Sequence, residues 1–213
     1  MNGTDRKPLR RGGFKTRPYD LVSTPRPKVV QWLRVLLFAC HFVLVSAAAA
    51  DCRDEIPFVP TPIEVVDRML EIAQVKRDDV VYDLGSGDGR IVIRAAKKYG
   101  ARGVGIEMDR LLLAKAKRAA AAEDVAHLVE FRAEDALQTD ISPATVVTLY
   151  MLPWFNDAMK PRFARDLKPG ARIVAHDFGI EGWEPERIEI LDKPVRLMGG
   201  VHRPHKIYLW RIK

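Results

Sequence analysis

Three glycines and two carboxylates lie within seven residues, in the sequence DLGSGDG at positions 83–89. Glycine at every second position lets the backbone adopt positive φ and approach a ligand that a Cβ would push away. The carboxylates disfavour a bound pyrophosphate, because like charges at short range repel, and they favour a cationic ligand. The spacing also differs from the dinucleotide fingerprint G-x-G-x-x-G, and no Gly-Lys-Ser/Thr of a Walker A loop follows.

S-adenosylmethionine has the charges that such a loop requires, since it carries a sulfonium and an ammonium and no phosphate. We therefore interpret the loop as a binding site for this cofactor, although a glycine turn that merely joins a strand to a helix is the alternative. The predicted cofactor-binding residues of the loop are Asp83, Gly85, Ser86, Gly87, Asp88 and Gly89.

Two further acids follow the next strands of the chain. Glu107 ends an apolar stretch 22 residues beyond Gly85, where a doubly wound fold places the carboxylate that binds ribose hydroxyls. Asp135, with Glu134 as a substitute, comes just after a strand predicted at 128–132, and we expect it to accept a hydrogen bond from the adenine amino group. The alternatives are a charge at a helix start for Glu107 and an exposed surface position for Asp135.

The elements that position these residues alternate between strands and helices. An apolar, β-branched run at 80–84 precedes the glycine loop, and apolar residues at helical spacing follow it as far as Gly100. Further strands are predicted at 145–150 and 172–175, a helix at 156–167, and a C-terminal hairpin from 194–198 and 206–210. This order predicts an α/β fold, a three-layer, doubly wound, Rossmann-like and mostly parallel sheet. Segment 57–62 precedes the first helix, which Thr61 is expected to cap, and lies where it could fold over the cofactor.

Candidate acceptor-side residues follow the fourth and fifth strands, whose ends should flank the transferring methyl group. The predicted catalytic residues are Tyr150, His176 and Asp177, with Pro153 and Trp154 beside them; for His176, a buried hydrogen-bonded imidazole is the alternative. The sequence LPWF at 152–155 replaces the Asn/Asp-Pro-Pro-Tyr/Phe motif of enzymes that methylate planar nitrogens. This difference disfavours nucleobase nitrogens as acceptors and leaves lysine or a small molecule.

The net charge of +7 is confined to one end of the chain. The first 34 residues contain nine basic and two acidic residues, so the remainder is neutral and lacks the basic footprint of a nucleic-acid enzyme. No nucleic-acid partner is therefore expected. Cys40 and Cys52 form no disulfide framework and lack the Cys or His neighbours of a zinc site, so no metal is predicted.

The N-terminal 56 residues differ in composition from the rest of the chain. Residues 1–28 are basic and rich in proline and glycine, which predicts a disordered leader. Residues 29–50 are apolar and end in small residues, the pattern of a secretory signal or a membrane anchor. Cleavage near Ala50 would export the domain, an uncleaved segment would anchor it, and an arginine-rich, acid-poor arm also fits a mitochondrial address. S-adenosylmethionine is made in the cytosol, so an enzyme delivered to a compartment without this cofactor would be idle. We therefore expect membrane association that keeps access to the cofactor.

Taken together, residues 57–213 resemble a class I S-adenosylmethionine-dependent methyltransferase. The resemblance rests on DLGSGDG at 83–89, Glu107, Asp135 and the sequence LKPG at 167–170. The sequences PFVP at 57–60, YDLGSGDGRIV at 82–92 and GVGIE at 103–107 resemble more narrowly the small protein-lysine methyltransferases of the mitochondrial inner membrane and their bacterial relatives.

This resemblance implies a seven-stranded sheet with an antiparallel C-terminal hairpin strand. It also implies a protein substrate with an accessible lysine, in a membrane-associated protein. A small-molecule or lipid methyltransferase of the same fold is one alternative. An NAD-dependent oxidoreductase, or a cofactor-binding module without catalysis, is the alternative from another class.

Overall fold

The structure is a computed structural model that describes residues 57–192 and 204–213. Helices and strands alternate along this part of the chain. The helices are α1 (Ile63–Ile72), α2 (Arg90–Tyr99), α3 (Arg110–Ala122) and α4 (Pro153–Asp166). The strands are β1 (Val80–Leu84), β2 (Arg102–Ile106), β3 (Val129–Arg132), β4 (Val146–Leu149), β5 (Arg172–His176), β6 (Arg187–Leu191) and β7 (His205–Arg211).

The seven strands form one sheet in the order β3-β2-β1-β4-β5-β7-β6. Strands β1 to β5 are parallel, whereas β7 is antiparallel to both β5 and β6. The predicted fold, a mostly parallel seven-stranded sheet with an antiparallel C-terminal hairpin, is confirmed. Strand order reverses between β1 and β4, and the carboxyl ends of strands at such a switch point form the usual ligand crevice of open α/β sheets.

Two apolar clusters cover the two faces of the sheet and make the three layers. Helices α1, α2 and α3 pack on one face through buried residues such as Met69, Val92 and Leu113. Helix α4 packs on the other face, where Phe155 and Phe163 lie against side chains of the central strands. Because both faces are covered, the central strands are buried and their carboxyl ends are held rigidly.

Two elements begin several residues away from their predicted positions. Helix α4 begins at Pro153 and not at Asn156, since Leu152 is extended and the fixed φ of proline suits the first helical position. The first strand of the terminal hairpin is β6, at Arg187–Leu191, which pairs with β7 from Arg187 opposite Leu209 to Leu191 opposite His205. Segment 194–198, where that strand was predicted, lies outside the described residues.

The predicted cap of α1 is wrong. Pro62 occupies the cap position and no side chain there accepts a hydrogen bond from the helix. The hydroxyl of Thr61 lies instead 3.3 Å from Nδ1 of His176, at the end of β5. The hydroxyl of Thr61 therefore has its hydrogen-bond partner in the protein interior, and α1 starts without a side-chain cap.

The leader 1–28 and the apolar segment 29–50 both lie outside the described residues. Among the helices of residues 57–192 and 204–213, none has the length and apolarity needed to cross a bilayer.

Candidate functional site

The glycine loop follows β1 at the switch point of the sheet. Gly85, Gly87 and Gly89 have φ values of 79°, 53° and 78°, a region that side chains with a Cβ rarely adopt. A Cβ at each glycine would lie within 3.0 Å of another side chain: Met151 for Gly85, Phe58 for Gly87, and Phe131 for Gly89. The loop is therefore a tight backbone cradle that only glycine can form, which fits the cofactor site inferred from the sequence.

Asp83 supplies the buried negative charge of this site. The residue is 3% exposed at the end of β1, and its carboxylate accepts a hydrogen bond of 2.6 Å from the hydroxyl of Thr148. Burial raises the pKa of Asp83 to about 7, and the nearby charges of Glu107 and Asp88 also raise it, while the Thr148 hydrogen bond acts in the opposite direction. A cationic ligand beside this carboxylate would stabilise its ionised form.

The charge of Asp88 is paired with cations of the protein itself, and its contact with the cofactor stays a prediction. Its carboxylate is held by Arg90 through two hydrogen bonds of 2.9 and 2.7 Å, and Lys115 lies 3.2 Å away. Burial raises the pKa of Asp88, but the hydrogen bonds and charges of Arg90 and Lys115 outweigh burial and lower it. Two cations thus neutralise Asp88, so the unpaired negative charge of the loop comes from Asp83.

Arg90 also ties the loop to segment 57–62, because it donates a hydrogen bond of 2.9 Å to the backbone carbonyl of Thr61. The ring of Phe58, in the same segment, contacts Gly87, and the Lys115 ammonium lies 5.9 Å from the centre of that ring. The segment therefore packs directly on the glycine loop. Its predicted position, over the cofactor site, agrees with this packing.

Glu107 follows the end of β2 beside the loop, as the spacing predicted. One carboxylate oxygen accepts a hydrogen bond of 2.9 Å from the Gly87 N–H, and the other accepts one of 2.9 Å from the Asp109 N–H. A carboxylate has about four acceptor sites, so two remain for hydroxyl groups such as a ribose diol. Capping of α3 is done by Asp109, whose side chain accepts from the N–H groups of Leu111 and Leu112.

Ser86 and Asp135, both predicted to contact the cofactor, make contacts within the protein. Within the part of the chain that the structure describes, the hydroxyl of Ser86 is buried without a hydrogen-bond partner; it lies against Gly105 and so faces β2. Asp135, half-buried beyond β3, accepts hydrogen bonds of 2.9 Å from the Leu137 N–H and 3.0 Å from the Gln138 amide. Glu134 bonds to the hydroxyl of Thr139. The adenine contact of Asp135 stays a prediction.

The acceptor-side residues meet at the carboxyl ends of β4 and β5. The Tyr150 ring lies 4.0 Å from the His176 ring and stacks on Phe178 at 6.3 Å. Tyr150 is half-buried, whereas His176 is 1% exposed. The structure thus brings Tyr150, His176 and Asp177 together, and Tyr150 lies nearer to solvent than His176. The catalytic roles of these three residues stay predictions. Trp154 lies in the first turn of α4, T-shaped against Phe155.

His176 and Asp177 also belong to a buried polar cluster whose third member, His205, the sequence analysis did not find. His176 Nε2 is 2.8 Å from Nδ1 of His205, and Oδ2 of Asp177 lies 3.3 Å from the first nitrogen and 3.8 Å from the second. His205 comes close to His176 only through the antiparallel register of β5 and β7, which pairs His176 with Ile207. That register is set by tertiary pairing and is not visible in the local sequence pattern.

The residues present fit S-adenosylmethionine. The glycine cradle lets the backbone approach it, Glu107 can hold its ribose, and Asp83 provides the negative charge that its sulfonium and ammonium require. When bound, the cofactor supplies a methyl group on a positively charged sulfur.

Comparison with known proteins gives the same assignment. A family model described as the ANTKMT methyltransferase domain matches residues 83–187. A protein-lysine N-methyltransferase of Saccharolobus islandicus is 40% identical over 158 residues, which cover 74% of this chain and 94% of that protein. A lysine N-methyltransferase of the ATP synthase c-subunit, from Xenopus laevis, is 31% identical over 179 residues, with 80% and 78% covered.

A solved structure is also similar. It is a crystal structure of an RNA methyltransferase from Salinibacter ruber in complex with S-adenosyl-L-homocysteine, with a TM-score of 0.64 and 52% identity, and the match covers 72% of this chain and 94% of that one. S-adenosyl-L-homocysteine is the demethylated product of S-adenosylmethionine, so this similarity supports the predicted cofactor and gives no support to an NAD-dependent oxidoreductase. The chain therefore belongs to the S-adenosylmethionine-dependent methyltransferases, in the family of the Saccharolobus islandicus protein-lysine N-methyltransferase.

Proposed function

We propose that this protein is a protein-lysine N-methyltransferase. The observation that carries the proposal is the 40% identity to the Saccharolobus islandicus protein-lysine N-methyltransferase along 94% of that protein's length. The Xenopus laevis relative, also named a lysine N-methyltransferase, supports the same acceptor. The Salinibacter ruber protein is named an RNA methyltransferase instead, so RNA is the competing acceptor that the experiment must separate.

The acceptor end of the site suits an alkyl ammonium group. Tyr150 and Phe178 place aromatic rings at this end of the site, and aromatic rings attract cations. A lysine must lose its proton before it can accept a methyl group, and a half-buried tyrosine hydroxyl can orient the amine for that loss. Beyond residue 34 the basic and acidic residues balance, so this part of the chain lacks the net positive charge typical of RNA-binding proteins.

The remaining residues position the reacting groups and exclude water. The glycine loop, Glu107 and Phe58 hold one side of the crevice, and the β4 and β5 ends with Tyr150 hold the other. In-line transfer depends mainly on such orientation, so the rate requires no charged base at the acceptor. Substitution of Tyr150 by Phe is accordingly expected to lower turnover while cofactor affinity is retained.

We further propose that the substrate is membrane-associated and that segment 29–50 brings the enzyme to it. The apolar composition of that segment supports this location, and export after cleavage near Ala50 is the alternative. Cell fractionation of the full chain, with intact-mass measurement of its N-terminus, tests the location. A soluble, exported product beginning near residue 51 would contradict membrane association.

The acceptor is tested by incubating the full chain with methyl-labelled S-adenosylmethionine and three substrate pools: membrane protein, total RNA and an organic lipid extract. Label in protein, with methyl-lysine found by peptide mass spectrometry, is the expected result. A Glu107→Gln variant is the matched control and should label little. Label in RNA or in the lipid extract would overturn the lysine proposal.

A further inference from the structure

The cluster of His176, His205 and Asp177 has the geometry of a metal-binding triad. Its three donor atoms are His176 Nε2, His205 Nδ1 and Asp177 Oδ2, and they are separated by 2.8, 3.3 and 3.8 Å. Ligands at about 2.0–2.2 Å in a tetrahedral zinc site are about 3.3 Å apart. The sides of the triangle scatter around that value, so one ion could contact all three atoms with small side-chain adjustments.

Three donor atoms of buried side chains lie close together in this cluster. His176 Nε2 and His205 Nδ1 are at hydrogen-bond distance from each other, and the carboxylate oxygen of Asp177 lies within 3.8 Å of both. A shared proton bridges only two atoms, most directly the nitrogens of His176 and His205. A metal ion, by contrast, could coordinate all three atoms at once.

The surroundings hold the donors in place. The side chains of His176 and His205 are fully buried and that of Asp177 is 3% exposed. Asp177 has a left-handed backbone with φ of 62°, and its N–H donates a hydrogen bond of 2.7 Å to the Lys206 carbonyl. The contact of Thr61 with His176 Nδ1 orients that ring from its other nitrogen, as the hydrogen-bond partners of metal-bound imidazoles do.

We propose that this cluster binds a divalent transition-metal ion, Zn²⁺ being the ion that two imidazoles and one carboxylate suit best. The ion ties the end of β5 to the start of β7 and fixes the wall behind Tyr150. Three protein ligands leave one coordination position for water. The proposal does not depend on the identity of the methyl acceptor.

The test uses the full chain with Cys40 and Cys52 replaced by Ser, so that thiolates cannot compete for the metal. The protein is stripped with a chelator, dialysed against Zn²⁺ and then against metal-free buffer, and its zinc content is measured by mass spectrometry. About one equivalent is expected to remain. Co²⁺ in place of Zn²⁺ should give the visible absorption of a four- or five-coordinate nitrogen and oxygen site.

His205→Gln and Asp177→Asn should each lose the retained zinc and the cobalt spectrum. His127→Gln is the matched control, because His127 is exposed and far along the chain from the cluster, and it should keep both. Cofactor binding by each variant verifies that it has folded. Either of two results would overturn the metal site in favour of a shared proton. One is retention of less than about a tenth of an equivalent of zinc by the protein with the intact triad, and the other is retention of the same amount of zinc by His205→Gln.

Discussion

The ionisation of Asp83 should control both cofactor affinity and the stability of the cofactor-free protein. Its pKa is raised to about 7 by burial, from a usual value near 3.8. Between these two values the folded state binds more protons at Asp83 than the unfolded state does. The free energy of unfolding therefore falls as pH rises through this window, and the loss is complete above about pH 7.

The magnitudes follow from the size of the shift. About three pKa units correspond to roughly 4 kcal/mol of destabilisation by Asp83 above pH 7. The cofactor needs the carboxylate form, whose population is about 1% at pH 5 and about half at pH 7, so apparent affinity should rise about 50-fold across that interval. In an Asp83→Asn variant both pH dependences should disappear, and binding should be weak throughout.

Calorimetric titration with S-adenosylmethionine and urea unfolding, both repeated from pH 5 to 7, measure these effects. 5′-Methylthioadenosine is the matched ligand, since it keeps the adenosine but carries neither cationic group, and its affinity should hardly change with pH. Asp78→Asn is the matched variant, because Asp78 is exposed at the other end of β1. If wild-type affinity for S-adenosylmethionine is constant from pH 5 to 7, or if Asp83→Asn retains the slope, the assignment of the charge to Asp83 is wrong.

Three further predictions concern single positions. Gly87→Ala should lower cofactor affinity about tenfold or more, since it forces a Cβ into a left-handed backbone and against Phe58; addition of Phe58→Ala should restore part of that loss, and no restoration would contradict the contact. Glu107→Gln should weaken calorimetric binding by roughly 10- to 100-fold, and unchanged affinity would show that the ribose contact lies elsewhere. Asp79→Asn should lower the free energy of unfolding by about 3 kcal/mol or more in denaturant, because it leaves Arg172 buried without its charged partner; the cofactor affinity of the folded variant should stay constant.

The fold and the cofactor loop could be predicted because their signals are local. Strand-helix alternation, glycine spacing and an acid at the end of the second strand are visible within short windows. The pairing of Asp88 with Arg90 is also local, only two residues apart, but proximity in the sequence does not show which way the two side chains point. The Gly87 N–H donates a hydrogen bond to Glu107, in agreement with the sequence spacing that predicted both residues at one cofactor site.

The acceptor end could not be predicted to the same extent. His176 meets His205 from 29 positions away and Thr61 from 115 positions away. Both contacts depend on how β7 enters the sheet and where segment 57–62 crosses it. An antiparallel strand inserted beside β5 has no periodicity that reveals its register. Sequence patterns therefore located the catalytic candidates but not the side chains that surround them.

The glycine loop has a consequence for protein engineering. Its three glycines are packed by side chains from three separate parts of the chain: Phe58 before α1, Phe131 in β3 and Met151 after β4. A graft of the seven-residue loop into another α/β scaffold would therefore carry the motif without the surfaces that shape it. A chimaera is expected to take up the methyl donor only when those three neighbours are transplanted with the loop.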